Sequence, residues 1–249
     1  MAIETIIFPD AEQAAQQVAK KIQQLIQRKP DAVLGLATGG TPLLLYRELI
    51  RMHAEEGLSF AQVRTFNLDE YEGLPPDHPE SYWSFMQRNL FDHIDISPGN
   101  YHLPSGMLAA DAVPEHCEAY ENAIRAAGGI DFQILGIGRN GHIGFNEPGS
   151  TISSRTRRVT LCEVTRSDAA PAFGSIEQVP THAISMGCAT ILEAKEIVLL
   201  AFGEHKAEIV AQAVCGDVSE NVTASYLQTH QNIHFYLDSA AARDLRESM

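Results

Sequence analysis

Along the chain, short apolar runs alternate with stretches in which apolar residues recur every three or four positions. The runs at 32–36, 63–67, 132–135 and 196–202 have the length of buried strands, and 233–237 is a weaker fifth. Between them, 11–26 places Ala15, Val18, Ile22, Leu25 and Ile26 on one helical face. Leu45, Leu49 and His53 do the same after Pro42, as do Tyr120, Ile124 and Ala127. Near-continuously apolar strands alternating with helices predict an α/β fold. It would have a single open, mostly parallel, Rossmann-like sheet with helices on both faces. No internal repeat, low-complexity tract or linker-like shift in composition divides the chain, so 1–249 reads as a single domain.

Ligands of such sheets bind outside the carboxyl ends of the strands. That rule selects the loops at 37–41, 68–79 and 136–150. In the first, Thr38, Gly39, Gly40 and Thr41 precede a predicted helix, with Thr41 as N-cap and Pro42 at the first helical position. Glycines ahead of a helix N-terminus let backbone N–H groups approach an anion, although an ordinary strand-to-helix turn uses the same residues. No Gly-Lys-Ser/Thr follows, which excludes a Walker A loop. The second loop brings Asp69 and Glu70 to the end of an apolar strand. A partly desolvated Asp69 there could serve as a general base; the competing reading is an acidic surface turn.

The third loop contains a literal G-x-G-x-x-G, but two more glycines and Pro148 follow by Gly149 without helical period, which argues against a dinucleotide site. What the loop offers is His142, a residue type able to move protons in either direction, and Glu147, which could fix its tautomer. No H-E-x-x-H spacing occurs, and no metal is expected.

The 249 residues carry 18 Lys and Arg against 32 Asp and Glu, a formal charge of −14. That disfavours nucleic acid or an anionic membrane as partner, and an anionic small molecule would need a local positive site. The four cysteines are scattered without a pairing pattern and read as reduced, mostly buried thiols. The first residues lack both a basic region and a long apolar segment, and the longest apolar run, 197–202, is far short of the ~20 residues of a membrane span. The expectation is a soluble, cytoplasmic protein.

With Asp69 and His142 in view, the segments LGLATGGTP (34–42), FNLDEYEGLPPDHPESYWSFM (66–86) and LGIGRNGHIGFNEPGS (135–150) resemble the glucosamine-6-phosphate deaminase family. SRTR at 154–157 and Gly203-Glu-His-Lys206-Ala match as well, and the likeness runs from about Phe8 to Leu237. The resemblance is to the short branch of that family. It implies conversion of glucosamine 6-phosphate to fructose 6-phosphate and ammonia, a step of amino sugar catabolism that needs no cofactor. By the same resemblance His142 opens the pyranose ring, Asp69 moves the proton from C2 to C1, and Glu147 and Asn140 orient His142. Thr38, Gly39, Gly40, Thr41 and Lys206 would hold the phosphate.

The chain departs from the family at three places. Position 140 is Asn, where the longer, allosteric branch has Asp. No arginine lies between Arg166 and Phe173, although the family places one near Pro171 to clamp the phosphate. Arg157, Ser150 and Thr160 match the allosteric site, but Val159 replaces a lysine and the chain ends short of the longer members. No activation by N-acetylglucosamine 6-phosphate is therefore expected. The alternatives are a deaminase for galactosamine 6-phosphate, a 6-phosphogluconolactonase-type hydrolase, which needs no C2 base, and a non-catalytic sugar-phosphate sensor. A monomer and a small homo-oligomer are both compatible with the sequence. The Ser, Thr, Ala and Pro content of 151–180 permits a mobile lid.

Overall fold

The computed structural model describes residues 3–247. In chain order the strands and helices are β1 (Glu4–Phe8), α1 (Ala11–Arg28), β2 (Val33–Leu36), α2 (Leu43–Glu56), β3 (Arg64–Asn67), β4 (Asp69–Tyr71), α3 (Tyr82–Asn89), β5 (Tyr101–His102) and α4 (Val113–Ala126). There follow β6 (Phe132–Leu135), β7 (Arg157–Thr160), α5 (Glu163–Phe173), β8 (His182–Ser185), α6 (Cys188–Leu192), β9 (Ile197–Ala201), α7 (Ala207–Cys215) and β10 (Ile233–Asp238).

Seven strands form one sheet in the order β1-β10-β9-β6-β2-β3-β5, and every neighbouring pair is parallel. Every residue of β2, β6 and β9 is buried. Successive side chains of a strand point to opposite faces, so burial at every position means that both faces of the sheet are covered. Helix α1 contributes Ala14, Ala15, Val18, Ala19, Ile22 and Ile26 to that cover. Each large aliphatic side chain so buried stabilises the fold by about 1.5–3 kcal/mol. Asp10 starts α1 where the periodicity begins, its Oδ1 accepting the N–H of Gln13 at 2.8 Å.

The five sequence-predicted strands correspond to β2, β3, β6, β9 and β10, each within a residue or so at its ends. Strands β4, β8 and β7 form a second, antiparallel sheet that the hydrophobic pattern does not announce. Tyr71, Phe145, Val159, Leu161, Val179 and Ala183 form a separate small apolar cluster beneath it. Leu68 ties the two sheets together: its N–H donates to Leu36 O at 3.0 Å and its carbonyl accepts from Met186 N at 2.7 Å. The chain thus leaves β3 and turns directly into β4, so residue 69 begins a strand rather than a loop. Residues 151–180 are likewise structured, holding β7 and α5.

From β2 the chain moves outward to β3 and β5, then returns to β6 on the other side of β2 before continuing to β9 and β10. The carboxyl ends of β2 and β6 therefore flank the point where strand order reverses, which is where an open α/β sheet leaves a crevice.

Candidate active site

A cavity of about 150 Å³ occupies that crevice. Thr38, Gly39, Gly40 and Thr41 after β2, Asp69 at the start of β4, and Gly138 and His142 after β6 all line it, together with Tyr82 and Phe145. Six of the nine residues singled out in the sequence thus share one wall. Asn140 and Glu147 stand behind His142, and Lys206 lies beside the loop with its Nζ donating to Ile137 O at 2.8 Å.

Asp69 is buried, paired across the small sheet with Ser185. Desolvation, reinforced by the neighbouring Glu70 carboxylate, pushes its carboxyl up to about 8, against the opposing bond from the Phe145 N–H. Glu70 points elsewhere. It accepts from the backbone N–H groups of Tyr71, Tyr82 and Trp83, each at 2.9 Å, and so anchors the start of α3. The adjacent carboxylates therefore separate by environment, one in the cavity and one on a helix N-terminus.

His142 sits on a loop pinned from several sides. Asn146, wholly buried, donates to the carbonyls of Ile143 (2.9 Å) and Met186 (2.8 Å), and Thr223 Oγ1 donates to Asn146 O at 2.7 Å. The imidazole packs flat against Gly138, where a Cβ would come within 2.3 Å of the ring. Its Nδ1 is 3.3 Å from Glu147 Oε2 and 3.4 Å from Thr165 Oγ1. Burial by itself would raise the Glu147 carboxyl. The hydrogen bond and charge of His142, with bonds from Thr165 and Asn140, outweigh it and hold the group at about 2. Glu147 is thus an anion across the ordinary pH range, within hydrogen-bonding reach of the ring nitrogen. Asn140 Nδ2 donates to Glu147 Oε2 at 2.8 Å, and Asn140 Oδ1 accepts from His142 N at 3.3 Å.

The glycine turn has the features of an anion cradle. Gly39 adopts a φ of 99°, open to a residue without Cβ. Helix α2 begins at Leu43, with Pro42 rather than Thr41 at the cap position, and no side chain caps it. Leu43 N–H donates to Gly40 O at 3.4 Å, and no side chain takes up the N–H groups that follow, unlike in α1 and α3.

The arginine question near Pro171 has a structural side. Pro171 lies inside α5, and Arg166 on the same helix donates to the carbonyls of Ile176 (2.6 Å) and Val179 (3.2 Å). Arg139, next to the cavity-lining Gly138, instead reaches α5 by pairing with Asp168 at 2.8 Å. Lys206 is pulled down by its burial, pushed up by Asp168 and pulled down again by Arg139, so the two cations share one neighbourhood.

Tyr82, Phe145, Cys162, Thr165 and Gly138 were not legible as site residues. They touch the site through tertiary packing, and only the glycine richness around Gly138 hinted at a close approach. All four cysteines are free, two of them buried. Among the described residues, no group of three or more His, Cys, Asp or Glu could hold a metal ion, and no helix is long and apolar enough to cross a membrane. A larger cavity of about 630 Å³ lies between α4 and β7. Arg155 and Arg158 on its wall are already paired with Glu193 and Glu72, and it holds no histidine.

The family profile described as glucosamine-6-phosphate isomerases/6-phosphogluconolactonase matches residues 10–235, nine-tenths of the sequence. The chain belongs to this family. Within it, a glucosamine-6-phosphate deaminase of Arthrobacter sp. (strain FB24) is 49% identical over 98% of this chain and 93% of its own. One of Hahella chejuensis is 52% identical over 96% and 91%. The solved structure of a monomeric glucosamine-6-phosphate deaminase superposes with a TM-score of 0.94 at 46% identity, covering 97% of this chain and all of that one. A 6-phosphogluconolactonase from Trypanosoma brucei, at a TM-score of 0.78 and 19% identity over 98% of each chain, shares the family's fold.

Proposed function

We propose that this chain converts glucosamine 6-phosphate and water to fructose 6-phosphate and ammonia. Relatives about half identical over nearly the full length bear the name of that activity. The observation that carries the mechanism is a buried carboxyl and an oriented imidazole, from separate strand ends, on one cavity wall.

His142 takes the proton of the anomeric hydroxyl and delivers it to the ring oxygen as the C1–O5 bond breaks, giving the open-chain aldehyde. Glu147 steadies the transient imidazolium, and Asn140 fixes Glu147. Asp69 then removes the C2 proton, the electrons moving to the aldehyde oxygen, which takes up a proton given off by the C2 ammonium to leave an enolamine. Return of that proton to C1 gives the C2 imine, which water hydrolyses to the ketone with loss of ammonia. A desolvated carboxylate suits a carbon acid because its basicity is raised.

The phosphate binds at Thr38, Gly39, Gly40 and Thr41 on the uncapped start of α2. Lys206 supplies a point charge, and Arg139 stands in for the arginine missing near Pro171. These groups answer the global charge of −14 locally. A doubly charged sugar phosphate does not cross a bilayer, which supports a cytoplasmic setting. The likeness to a monomeric deaminase supports a monomer.

The test is ammonia release from glucosamine 6-phosphate and galactosamine 6-phosphate, beside hydrolysis of 6-phosphogluconolactone, for wild type and Asp69→Asn. The reading requires turnover of the gluco substrate and a loss of about 10³-fold or more in the variant. Preferred hydrolysis of the lactone, untouched by the substitution, would replace it with the hydrolase.

A further inference from the structure

The thiol of Cys162 sits among the groups that hold the imidazole. Its Sγ donates to Glu147 Oε2 at 3.2 Å, accepts from Asn140 Nδ2 at 3.3 Å and lies 3.3 Å from Thr165 Oγ1. Thr165 Oγ1 in turn is 3.4 Å from His142 Nδ1. The backbone N–H of Cys162 donates to the other carboxylate oxygen, Oε1, at 3.1 Å.

Glu147 Oε2 therefore faces Asn140 Nδ2 at 2.8 Å, Cys162 Sγ at 3.2 Å and His142 Nδ1 at 3.3 Å, and Thr165 also bonds to the carboxylate. A carboxylate oxygen accepts about two well-aligned bonds, so the three compete, and the imidazole makes the longest contact. We propose that Cys162 is a positioning residue of the proton relay, its thiol sharing Glu147 with His142 and setting how firmly the carboxylate holds the protonated ring. The inference rests on the role given to His142 above and adds a residue to it.

The titratable groups around the ring are Glu147 on its own loop, Cys162 ahead of α5 and, across the cavity, Asp69 on β4. The nearby cations are engaged elsewhere, Arg139 by Asp168 and Lys206 by the Ile137 carbonyl. Glu147 is thus the charge through which the thiol acts on the imidazole.

Histidine-labelled NMR, with the His142 signal assigned through His142→Gln, reads the imidazole titration in the free protein. In Cys162→Ala the carboxylate loses a donor, more of its charge faces His142, and the ring's pKa rises by about 0.5 of a unit. Cys162→Ser, whose hydroxyl is the stronger donor, brings it back to the wild-type value or below. With substrate, Cys162→Ala lowers kcat by about threefold or more at a KM within about twofold, and Cys162→Ser restores it. Unchanged titration in both variants, or an upward shift in both, would overturn the proposal. The titration needs no turnover, so a wild-type protein that released no ammonia would defeat the functional reading and leave this one to the NMR result.

Discussion

As the proposed base, Asp69 must be ionised to take a proton from carbon, and its surroundings oppose ionisation. With its carboxyl pushed up to about 8, kcat/KM falls as pH drops below 8, because that ratio reports the free protein. The kcat limb lies at lower pH, since the substrate's C2 ammonium beside Asp69 favours the carboxylate. A pH–rate series on both parameters checks this; coincident limbs would contradict it. The same burial acts on stability. A carboxyl whose folded pKa is raised contributes stability fully below its unfolded value of 3.8, and that contribution is lost as pH rises through about 8. Asp69→Asn, neutral throughout, is therefore more stable than wild type by about 1–3 kcal/mol at pH 9, with a smaller gap at pH 5, measured by denaturant unfolding. At Gly138 there is no room for a methyl group, because its Cβ would overlap the His142 ring at 2.3 Å. Gly138→Ala should displace the imidazole and lower kcat by about 10²-fold while the protein still folds. Wild-type kcat in that variant would show that His142 need not lie against Gly138. Asp69, His142 and Glu147 stood out as candidates by residue type and by their place just past the apolar strands, and the resemblance gave them roles. Cys162 and Thr165 did not, since nothing in their local sequence tells that α5 starts against Glu147.

Among elements, β4 and α3 are joined by Glu70, whose carboxylate receives three backbone N–H bonds from the start of the helix and its own strand. Burial raises the Glu70 carboxyl, so the charge itself is disfavoured, but Glu70→Gln turns one of the two accepting oxygens into a donor facing a backbone N–H, which costs about 1–2 kcal/mol in unfolding experiments. The same change removes the like charge beside Asp69, so the kcat/KM limb moves to lower pH. A limb that stays in place would show that Glu70 does not act on Asp69. The buried strands β2, β3, β6, β9 and β10 could be read from the sequence because two covered faces favour apolar runs, nearly unbroken in β2, β6 and β9 and interrupted by polar residues in β3 and β10. The small sheet could not. Its strands are three or four residues long, and β7, Arg157-Arg158-Val159-Thr160, holds one buried valine beside a half-buried Arg157, with Arg158 and Thr160 exposed. Such a strand is specified by its partner β8 rather than by its own pattern. The start of α2 was misplaced by one residue for a related reason: Thr41 has the chemistry of an N-cap, but the helix begins after Pro42 and leaves its first N–H groups uncapped.

The whole molecule is acidic, yet its proposed substrate carries a phosphate dianion, so on this reading binding depends on a few local cations. Arg139→Gln should raise KM about three- to tenfold with kcat nearly unchanged, since a phosphate contact remote from C2 holds ground state and transition state alike. An unchanged KM would remove Arg139 from the phosphate site. Arg157 is already engaged, donating to Asn146 Oδ1 and Ser150 Oγ at 2.9 Å each, and Val159 is buried beneath the small sheet. Addition of N-acetylglucosamine 6-phosphate should leave a hyperbolic rate curve unaltered; activation would contradict that.

The division of labour between two side chains is tested most directly with substrate deuterated at C2. In the proposed mechanism ring opening belongs to His142 and removal of the C2 hydrogen to Asp69, so Asp69→Asn should still interconvert the anomers at an accelerated rate by NMR. It should also retain its deuterium and release no ammonia. Loss of deuterium and release of ammonia from Asp69→Asn at the wild-type rate would contradict the account.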